Sequence, residues 1–203
     1  MLIGLGLGPG NPDLLTLRAV RLLESADAVF VPGRIASALV APWRDAEILE
    51  FPMTDDEEEI RRCMARNADR IAEAVGDADR QVVLGILGDP NFYSTFSRLC
   101  AVLSERHPGI AWRTEPGISS ITAFASAAGV SLQGGFIVSD GPEPEARILL
   151  KVRHPRRTAE ALRSEGFTEF VLVERMCMTG MQVYRNDDLP EESEYFSVLF
   201  ARR

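Results

Sequence analysis

Leu2-Ile3-Gly4-Leu5-Gly6-Leu7 is a short apolar run that stops in Gly8-Pro9-Gly10-Asn11-Pro12, the pattern of a buried strand entering a tight loop. Leu17, Val20, Leu22, Leu23 and Ala26 then recur at helical spacing, with Thr16 placed to cap them. A second strand over 28–31 is stopped by Pro32-Gly33. Thr54 with Glu57 reads as a capping box opening a long helix whose buried stripe is Ile60, Met64, Ile71 and Val75. The acidic first turn of that helix, Asp55 to Glu59, complements the partial positive charge at its start. Residues 81–87 form a continuous apolar strand ending in Gly88-Asp89-Pro90, and 92–106 read as a helix closing at His107-Pro108-Gly109. Strands alternating with helices in this way imply a mostly parallel sheet with helices on both faces.

The rest of the chain changes rhythm. One more strand and the helix after Pro116-Gly117-Ile118-Ser119-Ser120 are followed by strands over 147–152, 170–174, 181–184 and 195–201, with one clear helix at 156–164. This predicts a second α/β domain built on a mixed sheet. The fold class is α/β, with two α/β domains at 1–110 and 111–203 that divide near Pro108-Gly109.

Apolar residues make up 46% and charged residues 26% of the 203 positions, a globular balance. No apolar run reaches the roughly 18 residues a bilayer span requires, and no basic leader precedes the first strand, so a cytoplasmic location without a membrane partner is expected. The net charge of −8 argues against nucleic acid as a partner. Lys151 is the sole lysine, so arginines supply almost all of the positive charge. Cys63, Cys100 and Cys177 stand far apart, and neither His107 nor His154 lies at metal-ligand spacing from them, which predicts neither disulfide nor metal site. Cys63 and Cys100 fall within helices, as buried structural thiols do.

The glycines at 4, 6, 8 and 10 invite a nucleotide reading that the details oppose. For G-x-G-x-x-G begun at Gly4 the third glycine position holds Pro9, and begun at Gly6 it holds Asn11. No acidic residue ends the second strand, where a ribose-binding carboxylate belongs. A phosphate-binding loop needs a lysine after its last glycine, and Lys151 lies far away. What remains is a loop whose missing side chains let backbone come close to a ligand.

Three segments in order, residues 4–16 from Gly4 to Thr16, Leu87-Gly88-Asp89-Pro90-Asn91-Phe92-Tyr93-Ser94-Thr95, and Pro116-Gly117-Ile118-Ser119-Ser120, together resemble the tetrapyrrole methylase family over nearly the whole chain. Within it, Phe51-Pro52-Met53-Thr54, Tyr93-Ser94-Thr95 and Tyr195-Phe196-Ser197 look like the branch that methylates carbon 20 of precorrin-2 or its cobalt form, on the route to cobalamin. The resemblance implies S-adenosyl-L-methionine folded into a cleft between two domains, and a homodimer. Carried over by position, Leu7 and Pro9 line that cleft, Leu87, Gly88, Asp89 and Phe92 hold the cofactor, and Ser119, Ser120, Val152 and Met176 contact it from the second domain. Asn11 stands where the family usually has aspartate, and the stretch 134–147 is shorter than in typical relatives. These departures keep open a relative that binds cofactor without turnover, beside a methylase acting at another ring carbon.

Methyl transfer from a sulfonium is an in-line displacement eased by positioning and desolvation, so no nucleophilic side chain is required and none is singled out as catalytic. Asp89 either engages polar groups of the cofactor or bonds local backbone in an Asp-Pro turn. Ser119 and Ser120 either touch the cofactor or cap the following helix. The implied acceptor bears many carboxylates, which call for cationic donors. Arg34, just past the second strand, is the first candidate and Arg153 the next, each against the alternative of a solvated charge. Tyr93 either packs on the macrocycle or serves the start of a helix.

Overall fold

The computed structural model describes residues 1–76, 80–139, 141 and 144–203. The chain forms two compact units, Met1–Gln133 and Gly134–Arg203. The first holds the strands β1 (Leu2–Gly6), β2 (Ala28–Val31), β3 (Glu47–Ile48), β4 (Val82–Ile86) and β5 (Trp112–Glu115). They make one sheet in the order β3-β2-β4-β1-β5, every neighbouring pair parallel. The helices α1 (Leu17–Ser25), α2 (Arg34–Val40), α3 (Glu57–Val75), α4 (Phe96–Arg106) and α5 (Ser120–Ala128) follow β1 to β5 in turn. The division expected after residue 110 falls between α4 and β5. The observed units divide later, because β5 pairs with β1 in register from Leu2↔Trp112 to Leu5↔Glu115.

Alternation along the strands sorts the core into two layers. Leu2, Phe30, Val82, Leu84 and Ile86 pack with Met64, Ala68 and Ile71 of α3 and Leu99 and Leu103 of α4. Ile3, Leu5, Val29, Val31 and Val83 pack with Ala19 and Leu23 of α1 and Ala36, Leu39 and Val40 of α2 on the other face. Gly4 is required by this arrangement, since a Cβ there would meet the Phe96 ring at 2.5–2.7 Å.

Helix starts follow local chemistry. Thr16 caps α1 as expected, its Oγ1 accepting from the Ala19 N–H at 3.0 Å. The expected capping box at Thr54 is replaced by Asp56, whose Oδ1 accepts from the N–H groups of Glu58 and Glu59 at 2.9 and 3.2 Å. Thr54 instead shapes the approach, accepting from the Asp56 N–H at 3.2 Å. The helix expected from residue 92 begins at Phe96, because Tyr93 adopts φ 49° and Ser94 Oγ takes the Phe96 N–H at 3.0 Å. Helix α2 escaped the sequence reading. It is seven residues long and opens on Gly33 without a side-chain cap.

The second unit contains β6 (Ala146–Leu150), α6 (Pro155–Ser164), β7 (Glu169–Glu174), β8 (Gln182–Arg185) and β9 (Ser197–Arg202). Its sheet runs β6-β9-β7-β8 and is antiparallel at every ladder, which corrects the mixed sheet expected. The crossover from β6 through α6 to β7 leaves those two strands pointing the same way. The terminal strand β9 inserts between them, so they never pair. Ala159 and Leu162 of α6, with Phe167, bury Phe170, Leu172, Leu199 and Ala201 on one face of this sheet.

Candidate functional site

All five strands of the first sheet end at one edge, and in parallel sheets ligands bind at that carboxyl edge. Onward connections leave β2 toward β3 and β4 toward β5, in opposite directions along the order β3-β2-β4-β1-β5. A crevice opens where adjacent strands diverge in this way. The loops after β1, β4 and β5 are the three segments singled out by sequence, and the fold gathers them beside it.

These loops are fastened to one another through bare backbone. Gly8 and Gly88 exchange N–H to carbonyl bonds of 3.2 and 2.7 Å. A Cβ on Gly117 would lie 2.7 Å from the Gly6 Cα and carbonyl carbon and closer still to the Gly88 carbonyl oxygen. Gly6 and Gly117 therefore meet beside the Gly88 carbonyl, and neither has room for a side chain. The glycines were read as room for a ligand. At positions 4, 6 and 8 the room is filled by Phe96, Gly117 and the Leu14 carbonyl, while Gly10 and Gly88 have open space where a Cβ would stand.

Asp89 is buried and binds this junction together. Its Oδ1 accepts from the Asn91 N–H at 2.8 Å and the Asn91 amide at 3.3 Å, and its Oδ2 accepts from the Gly117 N–H at 3.1 Å. Of the two roles open for Asp89, the structure supplies the local backbone partners, and one of those partners lies 28 residues away in the chain. A second buried carboxylate, Glu115, escaped the sequence reading. Arg18 holds it through two contacts, Nε to Oε2 at 2.7 Å and Nη2 to Oε1 at 2.8 Å, and Arg113 pairs with the same carboxylate. The pair joins the first turn of α1 to the end of β5, immediately before Pro116. Neither signal was visible without the pairing of β1 with β5.

The remaining candidates separate. Leu7 is wholly buried, with its side chain packed against the Gly85 backbone. Pro9 is exposed, and Leu87, Phe92 and Tyr93 are exposed apolar groups around the β4 loop. Asn11 caps a short 3₁₀ turn, its Oδ1 accepting from the Asp13 N–H at 2.9 Å. A neutral amide oxygen serves there as an aspartate would. Ser119 is the cap of α5, accepting from the Ile121 N–H at 3.2 Å, and Ser120 is the exposed first residue of that helix. Arg34 begins α2 and is exposed. Val152, Met176 and Arg153 belong to the second unit. Val152 is buried, and its carbonyl accepts from Ser197 Oγ at 2.9 Å. Met176 is exposed. The Arg153 guanidinium lies 5.9 Å from the Tyr195 ring centroid, and Lys151 Nζ lies 5.0 Å from it.

Of the cysteines, Cys63 and Cys100 are buried, and burial pushes the Cys100 thiol up to about 12, which keeps it protonated and unreactive. Among the described residues no group of three or more His, Cys, Asp or Glu side chains is placed to hold a metal ion, and no helix is long and apolar enough to cross a membrane.

A doubly wound parallel sheet with fastened glycine loops along its carboxyl edge defines a ligand-binding α/β protein. Within that class the match is specific: residues 1–188 fit the Tetrapyrrole (Corrin/Porphyrin) Methylases, and the chain belongs to that family. It is 34% identical over 141 residues to a probable cobalt-precorrin-2 C(20)-methyltransferase of Methanocaldococcus jannaschii, spanning 65% of this chain and 59% of that protein. Over 237 aligned positions it is 30% identical to the precorrin-2 C(20)-methyltransferase of a Sinorhizobium species, covering 98% of this chain and 94% of the relative. Against the cobalamin biosynthesis protein CobIJ of Mycobacterium bovis it spans only 44% of the relative's length. Among solved structures, the methyltransferase CobJ superposes with a TM-score of 0.52 at 22% identity, covering all of this chain and 93% of that one, which establishes the shared fold.

Proposed function

We propose that this chain is an S-adenosyl-L-methionine-dependent methyltransferase that methylates carbon 20 of precorrin-2 or its cobalt form. The observation that carries the reading is the near-complete alignment, 98% of this chain on 94% of its length, with the Sinorhizobium enzyme of that name. Relatives named for carbon 20 include this end-to-end match, whereas the 39% identity to the siroheme synthase of Chromobacterium violaceum extends over only 63% of this chain and 26% of that protein. The general machinery is thus shared more widely than the full chain.

The first unit has features suited to the cofactor. Gly88 leaves bare backbone on its outer side, and Leu87 and Phe92 offer exposed apolar surface next to it. When bound, S-adenosyl-L-methionine supplies a methyl group made electrophilic by its sulfonium. Gly88 and its neighbours would present backbone groups to the cofactor, with Leu87 and Phe92 covering its apolar parts. Asp89 would act through position, holding the β4 loop against Gly117, and Arg18 with Glu115 would do the same for the β1 and β5 loops. Rate enhancement then comes from orientation and exclusion of water. Arg34, Arg153 and Tyr93 are assigned to the carboxylate-bearing acceptor, with Arg153 placed beside Lys151 over one aromatic ring.

A homodimer working in the cytoplasm completes the reading. Exposed apolar groups, Phe124 in the first unit and Phe136 and Ile137 in the second, support association, since exposed apolar surface is what interfaces bury. The decisive experiment incubates the protein with methyl-labelled S-adenosyl-L-methionine and precorrin-2, metal-free or cobalt-loaded. One added methyl at carbon 20 is expected. Label on another carbon, or tight cofactor binding with no transfer to either acceptor, would overturn the assignment.

A further inference from the structure

A second concavity lies on the same carboxyl edge, away from the three glycine segments. It measures about 330 Å³ and is lined by Pro32 after β2, by Leu49 to Pro52 after β3, and by Glu59, Cys63 and Arg66 along one face of α3. Strand order places these loops on the β2 side of the crevice, next to the β4 loop. Its size is at the lower end for small-molecule pockets, roughly 300–1,000 Å³, so it admits a side arm and not a macrocycle.

The lining combines an apolar wall with the charged side chains of Glu50, Glu59 and Arg66. Pro32, Leu49, Phe51 and Pro52 form an apolar wall. The Glu50 carbonyl is already used, accepting from Cys63 Sγ at 2.8 Å and from Asn67 Nδ2 at 2.7 Å, so the backbone of this part of the wall is fixed, while the Glu50 carboxylate is exposed at the rim. Arg66 differs from Arg62 and Arg70, one turn to either side on α3. Arg62 pairs with Glu58, and Arg70 pairs with Glu47 and Glu73. Arg66 forms an ion pair with none of the described carboxylates, which leaves its planar set of donors available at the pocket. Glu59 lies seven residues earlier, about 10 Å along the helix axis, close to one screening length at physiological salt, and both it and Glu50 are exposed, so solvent and salt screen their opposition to an anion at Arg66.

We propose that this pocket receives one carboxylate-bearing arm of the acceptor, with Arg66 as the recognising cation. The inference rests on the acceptor class assigned above, a macrocycle rich in carboxylates, and it adds a contact on α3 to the one assigned on α2. Apolar walls suit the methylene stem of such an arm, and a charge-assisted contact at its end fixes the ring's register against the crevice.

Fluorescence titration with uroporphyrin III, an octacarboxylate macrocycle, tests this without relying on turnover. Wild type should bind it, Arg66→Gln should bind about tenfold more weakly, and Arg66→Lys should recover part of the loss. Arg62→Gln removes the same charge one helical turn away from a residue already paired, and it should stay within about twofold of wild type. All these side chains are exposed, so unchanged thermal unfolding is expected of every variant. No binding by wild type, Arg66→Gln equal to wild type, or equal losses in the Arg62 and Arg66 variants would each overturn the pocket assignment. Loss confined to Arg66 in a protein that transfers no methyl to precorrin-2 would uphold the pocket and overturn only the carbon-20 reading.

Discussion

The two units close their cores differently. In the first, both faces of the sheet are covered, α1 and α2 on one and α3 and α4 on the other, so each central strand is buried along its whole length. In the second, α6 covers a single face, and within that unit Ile148, Leu150 and Val183 stay on the open side with 53%, 67% and 48% of their surface exposed. A parallel sheet leaves no alternative to double cover, because its crossover helices have to lie on its faces. An antiparallel sheet can remain one-sided, and here the open side is apolar where water would favour polar groups. The first unit thus holds a finished scaffold with its loops locked at one edge, and the second presents surface for something to bind.

The largest effect should come from breaking the finished unit where it has no slack. Gly117→Ala places a Cβ against the backbone of Gly6 and Gly88, and neither can move without disturbing β1 or β4. A loss of about 3 kcal/mol in unfolding free energy is expected. Gly10→Ala is the control, since its Cβ meets nothing within 4 Å and only its positive φ of 118° resists, at about 1 kcal/mol. Thermal or urea unfolding compares them. Equal, small losses would show that the glycine junction is looser than its geometry.

The open face sharpens the comparison from the other side. Sedimentation should show a dimer of the 22.4 kDa chain, and Ile148→Glu should weaken association by roughly tenfold or more while leaving the unfolding of the first unit unchanged. A wild-type monomer at micromolar concentration would count against the dimer. Smaller again is the expected effect at Arg34, on the first unit's working edge. Removing one charge-assisted contact in Arg34→Ala should raise the acceptor KM roughly tenfold with cofactor affinity nearly unchanged, and Arg34→Lys should recover part of it. Wild-type kinetics in both would move suspicion to Arg153.

What could be read from the sequence follows the same division between local and distant causes. The strands at 28–31 and 81–87, the Thr16 cap and the helix end at His107 depend on neighbours in the chain, and the structure has them within a residue or so. The three site segments were legible because each is a turn with its own residue chemistry. Their fastening was not, since the contacts of Gly6 with Gly117 and of Arg18 with Glu115 exist only after β1 and β5 have paired. The burial of Leu7 follows from local alternation, which continues past the last residue of β1 and turns that side chain into the core. In the second unit, one helix among four strands suggested a mixed sheet, and nothing local announces that β9 will come between β6 and β7 and make every ladder antiparallel.

The smallest effect tests how the finished unit ties its outer layer together. Asp69 on α3 accepts from Arg106 at the end of α4 through both oxygens, at 2.9 and 2.7 Å, and contacts His107 Nε2 at 2.8 Å. The Arg106 guanidinium first, and His107 second, hold its carboxyl well below the ordinary value, at about 2. A carboxyl with a depressed folded-state value stabilises the fold fully above its unfolded value, near 4, and that contribution fades as pH falls from there toward 2. The group is close to half exposed, so solvent screening keeps the contribution small. Asp69→Asn should lower the unfolding temperature by roughly 2 °C at pH 7 and by less at pH 3, bringing the two proteins' curves together in acid. The second unit has no part in this tie, so amide exchange should report the change in α3 and α4 and leave β6 to β9 as they were. A constant gap between the curves from pH 7 to pH 2 would mean that the carboxylate's charge contributes nothing and that Asp69 matters only by its shape.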